Sequence, residues 1–238
     1  MRNLIIDIGN TRIKSALFQD QELVQELAFT DLEEAIPVWK TLELGHCLVS
    51  SVRWSKEELE KQLGFSFLFL DRLTPIPVKN GYGTPETLGL DRIAAAVGGW
   101  AMSQGKPVLV IDMGSCLTFE FVDGNGVYLG GAISPGLAMR AKAMNQFTAR
   151  LPLVSLSEKP KKLMGDSTQT CMQSGIWYGV EFEIKGQIEA YRSEFPEIKV
   201  FVCGGDAQSF DSLAKDHIFV VPNLVLHGLN CILNHNVE

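Results

Sequence analysis

The sequence lacks a long hydrophobic run. Its longest apolar stretch, residues 93–102, is far shorter than the roughly 18 residues that a membrane-spanning helix needs. The N-terminal segment MRNLIIDIGN is apolar only briefly, because Asp7 and Asn10 interrupt it before the core of a signal peptide could form. We therefore expect neither a membrane protein nor a secreted one.

Cysteines are few, and their spacing suits neither disulfide bonds nor zinc. The five are Cys47, Cys116, Cys171, Cys203 and Cys231, an odd number without a C-x-x-C pair. Disulfide frameworks need paired cysteines, and structural zinc sites need closely spaced ones. The histidines (His46, His217, His227 and His235) form no ligand-spaced cluster either. We expect reduced, mostly buried thiols and a cytoplasmic location.

Positive charge is also scarce. The chain has 21 Lys and Arg against 28 Asp and Glu, giving a net charge of −7. Proteins that bind nucleic acids or membrane surfaces generally carry basic patches, so neither kind of partner is expected. The short basic segment 159–162 (KPKK) is interpreted as a solvated turn. Phosphate ligands stay possible, because backbone N–H groups and metal ions can hold them.

The remaining composition is that of a folded globular protein. Hydrophobic residues make up 46% and charged residues 21% of the 238 residues, which excludes disordered, collagen-like and coiled-coil classes. A chain of this length can build one large core or two modest ones.

Two segments of the sequence resemble each other. Each is an apolar strand that runs into a short polar motif, residues 7–11 (DIGNT) and residues 112–116 (DMGSC). After each motif come two predicted strands joined by a short turn, and after these helices and strands alternate. Repetition at about half the chain length indicates duplication. We predict two mixed α/β lobes, residues 1–106 and 107–238, with a cleft between them.

The local patterns also predict individual elements. Strands are predicted at 3–8, 13–18, 22–29, 46–51, 65–70, 107–111, 117–122, 127–133, 199–203 and 217–221. Helices are predicted at 31–42, 55–63, 93–102 and after Pro222, with further helical segments between 136 and 198.

The DIGNT motif can bind an anion. Small residues let main-chain N–H groups approach a phosphate, and an adjacent Asp7 can hold a hydrated Mg²⁺ on it. Lys14 would add a compact positive charge. The alternative is an ordinary hairpin with a turn-stabilising aspartate. A second copy of the motif favours the phosphate-binding interpretation.

An ordered set of motifs resembles the type III pantothenate kinases, a family of the sugar-kinase, actin and chaperone superfamily. The set comprises residues 7–14 (DIGNTRIK), 81–83 (GYG), 89–92 (GLDR), 112–115 (DMGS), 130–136 (GGAISPG) and 165–168 (GDST). The resemblance implies two duplicated ribonuclease-H-like lobes around a central ATP cleft. It also implies ATP-dependent phosphorylation of pantothenate to 4′-phosphopantothenate, the first step of coenzyme A biosynthesis.

The resemblance further implies roles for single residues. Asp91 would be the general base that takes the proton of the pantothenate hydroxyl. ATP would be bound by Asp7, Ile8, Gly9, Asn10, Thr11, Arg12, Ile13, Lys14 and Ser115. Pantothenate would be bound by Tyr82, Gly89, Leu90, Asp91, Arg92 and Thr168. Asp112 would hold a monovalent cation, K⁺ or NH₄⁺, and Mg²⁺ would accompany ATP; the family is homodimeric.

Each motif also permits a structural interpretation. Asp91 could be an N-cap or first-turn acid of the following helix, Thr168 an N-cap, and Tyr82 a loop aromatic over the core. Ser115 stands where the family usually has Thr, and Cys116 and Leu117 also depart from the usual residues. By analogy with the superfamily, residues 204–206 (GGD) are interpreted as a binding surface for adenine or ribose.

Two other functions remain open. The chain could be a non-catalytic regulatory protein on the same fold, although the presence of Asp7, Asp91 and Asp112 argues against a lost activity. It could also be a kinase of another small alcohol, since only the resemblance favours pantothenate as the acceptor.

Overall fold

A computed structural model describes residues 2–213 and 218–237, and this part of the chain divides into two units. The first unit contains residues 2–102 and 223–237, and the second lies within residues 103–222. Among the described residues, no helix has both the length and the apolarity that a bilayer span requires.

The first unit is built on a mixed sheet. The strands of this sheet are β1 (Arg2–Ile8), β2 (Ile13–Gln19), β3 (Glu22–Phe29), β4 (His46–Ser51) and β5 (Leu68–Phe69); the short strand β6 (Lys79–Asn80) lies in the same unit by sequence but is not part of this sheet. Its helices, numbered along the whole chain, are α1 (Leu32–Trp39), α2 (Lys56–Leu63), α3 (Leu90–Ser103) and α6 (Leu224–Val237), with a 3₁₀ turn at Pro85–Thr87. Five strands lie in the order β3-β2-β1-β4-β5. Short turns make β1, β2 and β3 antiparallel, whereas β4 and β5, reached through helices, run parallel to β1.

The second unit repeats this order of strands. Its elements are β7 (Val108–Met113), β8 (Cys116–Val122), β9 (Val127–Pro135), α4 (Leu137–Gln146), α5 (Thr168–Glu194), β10 (Lys199–Cys203) and β11 (Ile218–Val220), with 3₁₀ turns across Ala207–Leu213. The strands of this unit lie in the order β9-β8-β7-β10-β11. The first three are antiparallel, and β10 and β11 run parallel to β7. The predicted pair of duplicated α/β lobes is thus confirmed.

On one face of each sheet, alternate residues of the central strand pack against helices. In β1, Leu4, Ile6 and Ile8 join the apolar core beneath α1 and α2. Since side chains alternate along a strand, Asn3 and Asp7 lie on the opposite face of the sheet. Asn3 donates a hydrogen bond from Nδ2 to Asn230 Oδ1 of α6 at 2.9 Å, so Asp7 lies on the same face of the sheet as the contact with α6.

The C-terminal helix α6 belongs to a different unit from the one that the sequence predicts. We expected residues 107–238 to form one lobe, but α6 packs on β1, β2 and β4 of the first unit. Two glycines permit a close crossing of α6 with α3: a Cβ on Gly228 would lie 1.8 Å from Ala94 O, and one on Gly98 would lie 2.5 Å from Leu224 O.

Most predicted elements are present, with changed ends. The predicted strand at 65–70 is reduced to β5 (Leu68–Phe69), and α1 ends at Trp39, two residues after Pro37. A proline inside a helix removes a backbone hydrogen bond, which favours an early end. The predicted strand at 217–221 is found as Ile218–Val220, while His217 lies outside the described residues.

Candidate active site

The turn between β1 and β2 is tight and polar. The Gly9 amide donates to Arg12 O at 3.0 Å, and the strand register pairs Ile8 with Ile13 on either side of the turn. A Cβ on Gly9 would lie 3.3 Å from the same oxygen, closer than most real contacts. Asn10 and Thr11 are exposed at the tip. The turn therefore presents amide, hydroxyl and main-chain donors at the end of a buried strand.

Asp7 and Lys14 flank this turn. The register of β1 and β2 places them directly opposite each other, and both are half-buried. Opposite side chains of an antiparallel pair lie on the same face of the sheet. A carboxylate and an ammonium group beside a donor-rich turn can bind a metal-bearing phosphate, the carboxylate toward the metal and the ammonium toward the phosphate oxygens.

The turn between β7 and β8 is similar to the turn between β1 and β2, because its glycine amide also donates to a backbone oxygen within the turn. The Gly114 amide donates to Cys116 O at 3.0 Å, and the register pairs Asp112 with Thr118. Ser115 is exposed at the tip, so its hydroxyl is available to a ligand. The predicted pair of motifs thus forms two similar hairpins, one in each unit.

The Asp112 side chain is closely packed against the backbone of Gly114 and Gly204. A Cβ on Gly204 would lie 2.5 Å from Asp112 Oδ1, and one on Gly114 would lie 3.1 Å from it. Gly204 also has a φ of +95°, a conformation that favours glycine. The Asp112 carboxylate therefore lies so close to the Gly204 backbone that only glycine fits at position 204. Among residues 2–213 and 218–237, no cluster of three or more His, Cys, Asp or Glu side chains forms a metal site.

Asp91 is fixed at the start of α3. It is exposed, and its Oδ1 accepts a hydrogen bond from the Arg92 amide at 2.9 Å. A Cβ on Gly89 would lie 2.5 Å from Asp91 Oδ1, so a side chain at position 89 would displace the Asp91 carboxylate from its present position. The first-turn interpretation of Asp91 is confirmed by its position in α3, and a carboxylate at this end also interacts favourably with the helix dipole. An oriented, solvent-accessible carboxylate can accept a proton.

Tyr82 and Arg92 are brought together next to Asp91. The Arg92 guanidinium lies over the Tyr82 ring, and the Tyr82 amide donates to Asn80 Oδ1 at 3.0 Å. Asn80 was missed in the sequence. An Asn two residues before the aromatic residue, next to glycine, is the signal of a side chain that stabilises a turn.

Thr168 begins α5 without capping it. The N-cap is Ser167, whose Oγ accepts from the Thr170 amide at 3.2 Å. The interpretation of Thr168 as the N-cap is therefore wrong. Gly165 packs against this first turn, since a Cβ there would lie 2.4 Å from Cys171 N. The Thr168 side chain is exposed at the start of the helix.

A cavity of about 300 Å³ lies in the second unit, beside the segment 204–206. Its lining is mostly apolar and consists of Leu137, Ala138, Ala141, Lys142, Leu153, Val154, Leu156 and Asp206. The Asp206 amide donates to Met113 O at 3.0 Å, which ties this segment to the end of β7. Burial raises the pKa of the Asp206 carboxyl. The cavity offers an apolar surface with a carboxyl group at its edge.

Known proteins resemble this chain over nearly its whole length. A relative from Bacteroides fragilis (strain ATCC 25285), named type III pantothenate kinase, is 46% identical over 239 residues, 98% of each chain. Relatives of the same name from Christiangramia forsetii and Cytophaga hutchinsonii are 42% and 40% identical and cover at least 98% of both chains.

Solved structures support the fold. A conserved putative Baf family transcriptional activator from Campylobacter jejuni matches with a TM-score of 0.66 at 23% identity, covering 98% of both chains. A putative N-acetylmannosamine kinase from Listeria monocytogenes matches with a TM-score of 0.59 at 13% identity, covering 100% of both. The family model described as type III pantothenate kinase matches residues 3–190. On these matches, the chain belongs to the type III pantothenate kinase family.

Proposed function

We propose that this chain transfers the γ-phosphoryl group of ATP to the primary hydroxyl of pantothenate, giving ADP and 4′-phosphopantothenate. The observation that carries the proposal is the exposed Asp91 carboxylate, fixed by the Arg92 amide in a chain of this kinase family. Phosphoryl transfer needs positioning and charge neutralisation more than covalent help from the protein.

Asp91 is the general base in this reaction. It takes the proton of the pantothenate hydroxyl while that oxygen bonds to the γ-phosphorus and the bond from the γ-phosphorus to the bridging oxygen breaks. Arg92 next to it provides a planar fork of donors for an anion such as the pantothenate carboxylate. Tyr82, Gly89, Leu90 and Thr168 complete the proposed acceptor site.

Each hairpin is proposed as a phosphate-binding element for the nucleotide. In the first, the main-chain donors of the turn and the Lys14 ammonium contact phosphate oxygens, with Asp7 as the carboxylate that would hold Mg²⁺. In the second, the Ser115 hydroxyl contacts a phosphate, and Asp112 would hold K⁺ or NH₄⁺. Bound cations supply charge neutralisation, without which phosphates and carboxylates would repel each other.

The cavity beside Asp206 is the proposed nucleoside site. Its volume of about 300 Å³ and its apolar lining from α4 suit a purine ring. The carboxyl group of Asp206 at the edge can accept hydrogen bonds from ribose hydroxyls. This extends the interpretation of residues 204–206 to the neighbouring side chains of α4.

A second copy of the chain is the proposed partner. The second unit exposes large apolar side chains, including Phe147 at 81% and Met164 at 84%. Leu163 and Phe182 are exposed as well. A partner subunit that covers such large exposed apolar side chains would remove them from water, and on this basis we propose a homodimer. We also propose a cytoplasmic location, because the number and spacing of the five cysteines suit no disulfide framework.

The test is ADP release from MgATP with and without pantothenate, in K⁺ and again in Na⁺. We expect release that depends on both pantothenate and K⁺. If ADP release depends on pantothenate but is equal in K⁺ and in Na⁺, only the proposed cation role of Asp112 is contradicted. Release that occurs only with another small alcohol, or none in folded protein, would contradict the proposed function.

A further inference from the structure

The turn between β9 and α4 packs directly on the Ser115 hairpin. The Gly136 amide donates to Ser115 O at 3.2 Å, and the register pairs Cys116 with Pro135. A Cβ on Gly136 would lie 2.5 Å from Gly114 O and 2.7 Å from Ser115 O. The backbone of Gly114 and Ser115 is therefore held by the residues just before α4, and a shift of those residues would shift the hairpin.

Arg140 holds this turn in place. Its Nε donates to Pro135 O at 2.7 Å, and its Nη2 donates to Ser134 Oγ at 3.3 Å. Its own amide donates to Gly136 O at 3.0 Å, so the side chain reaches back over the first turn of α4 to the strand before it. The rigid guanidinium can make these contacts together, because its donors lie in one plane at fixed angles.

Glu183 of α5 fixes the position of the Arg140 side chain. Its Oε2 accepts a hydrogen bond from Arg140 Nη2 within an ion pair. The two side chains are only 23% and 26% exposed, so solvent and salt screen this pair less than a surface pair. A chain of contacts thus runs from α5 through Arg140 to the turn that supports Ser115.

We propose that Arg140, oriented by Glu183, is a positioning residue for the nucleotide: it fixes the Gly114–Ser115 backbone against which ATP phosphates bind. The inference rests on the proposed function, which assigns Ser115 to ATP, and extends it to two residues outside the motifs of the family resemblance. The described contacts of Arg140 are with Ser134, Pro135, Gly136 and Glu183, so we expect its loss to impair the use of MgATP far more than the use of pantothenate.

Three variants test the chain of contacts. Arg140→Met removes every side-chain donor, and Arg140→Lys keeps the charge but lacks the planar fork. Glu183→Gln keeps an acceptor oxygen but loses the charge. We expect the KM for MgATP to rise by about ten- to a hundredfold in Arg140→Met, since small misplacements of a site cost factors of this order. Smaller rises are expected in Arg140→Lys and Glu183→Gln. The KM for pantothenate should stay within about twofold of wild type in all three.

Lys185→Met is the matched control, because it removes an exposed cation from α5 that pairs with Glu181 and not with Glu183. We expect wild-type constants for it. Melting temperatures establish that each variant is folded; if Arg140→Met does not fold, Arg140→Lys and Glu183→Gln must still show the selective rise in the KM for MgATP.

The outcomes separate this inference from the proposed function. Wild-type protein without pantothenate-dependent turnover would contradict the proposed function itself. With an active wild type, an unchanged KM for MgATP in the folded Arg140 variants would overturn the inference. A lower kcat with both KM values unchanged would also overturn it, because it indicates only a smaller active fraction.

Discussion

The Arg92 guanidinium lies 5.6 Å from the centre of the Tyr82 ring. Arg92 belongs to α3 and is 8% exposed, whereas Tyr82 belongs to the loop before the 3₁₀ turn and is half-buried. The contact therefore joins a rigid helix to a loop beside Asp91. An aromatic face next to a guanidinium attracts it electrostatically, and the attraction is stronger where water is excluded.

Removal of the Tyr82 ring is expected to weaken pantothenate binding. Tyr82→Leu loses the contact with Arg92, whereas Tyr82→Phe keeps it. A contact of about 1–2 kcal/mol corresponds to a rise of about five- to thirtyfold in the KM for pantothenate in Tyr82→Leu. Steady-state kinetics with each substrate varied in turn measures this. An equal rise in the KM for MgATP would show that the loop serves more than the acceptor site.

Asp91→Asn is expected to lower kcat by about 10²- to 10⁴-fold, the usual contribution of a general base. The amide keeps the shape and the hydrogen bond to the Arg92 amide but accepts a proton poorly. The dissociation constant of MgATP, measured by calorimetry, should change little. Glu86→Gln is the control, because Glu86 is an exposed acid in the preceding 3₁₀ turn. Wild-type turnover in Asp91→Asn would refute the assignment of the base.

Gly228→Ala is expected to destabilise the fold by about 1–3 kcal/mol, since it adds a methyl group where the helices touch. The new Cβ would meet Ala94 O of α3 at 1.8 Å, so α6 must shift. Gly186→Ala in α5 is the control: it has open space around it, and alanine there should stabilise the helix by up to about 1 kcal/mol. Urea unfolding measures both. Equal stability of the two variants would contradict the close crossing.

Asp206→Asn should change stability with pH. Burial raises the pKa of Asp206 in the folded state, so the folded protein binds this proton more tightly than the unfolded chain does. This tighter proton binding stabilises the folded protein fully at pH values below the pKa that Asp206 has in the unfolded chain. The stabilisation is lost as the pH rises through the pKa that Asp206 has in the folded protein. We therefore expect Asp206→Asn to raise Tm more at pH 7 than at pH 3. The same change in Tm at both values would contradict the raised pKa.

Local patterns predicted most of the fold. The two hairpins follow from apolar strands that end in Asp-x-Gly turns, and such signals lie within a few residues of each other. The place of α6 was not predictable in this way, because it depends on Gly98 meeting α6 near Leu224 and on Asn3 meeting Asn230, across most of the chain.

The candidate site was predictable to a similar extent. Residues within one motif, such as Asp91 and Arg92, could be found from their neighbours in the sequence. Arg140 and Glu183 could not, because they lie 43 residues apart on two helices and neither belongs to a recognisable pattern. Asp206 is similar: its raised pKa follows from burial, which sequence spacing does not reveal.

The most direct test of the proposed reaction follows the transferred phosphoryl group itself. ATP labelled at the γ-phosphate is incubated with the full chain, pantothenate, Mg²⁺ and K⁺, and the products are separated and identified by mass. We predict that the label appears in 4′-phosphopantothenate in amounts equal to the ADP formed. Label found only in inorganic phosphate, with pantothenate unmodified, would contradict the account.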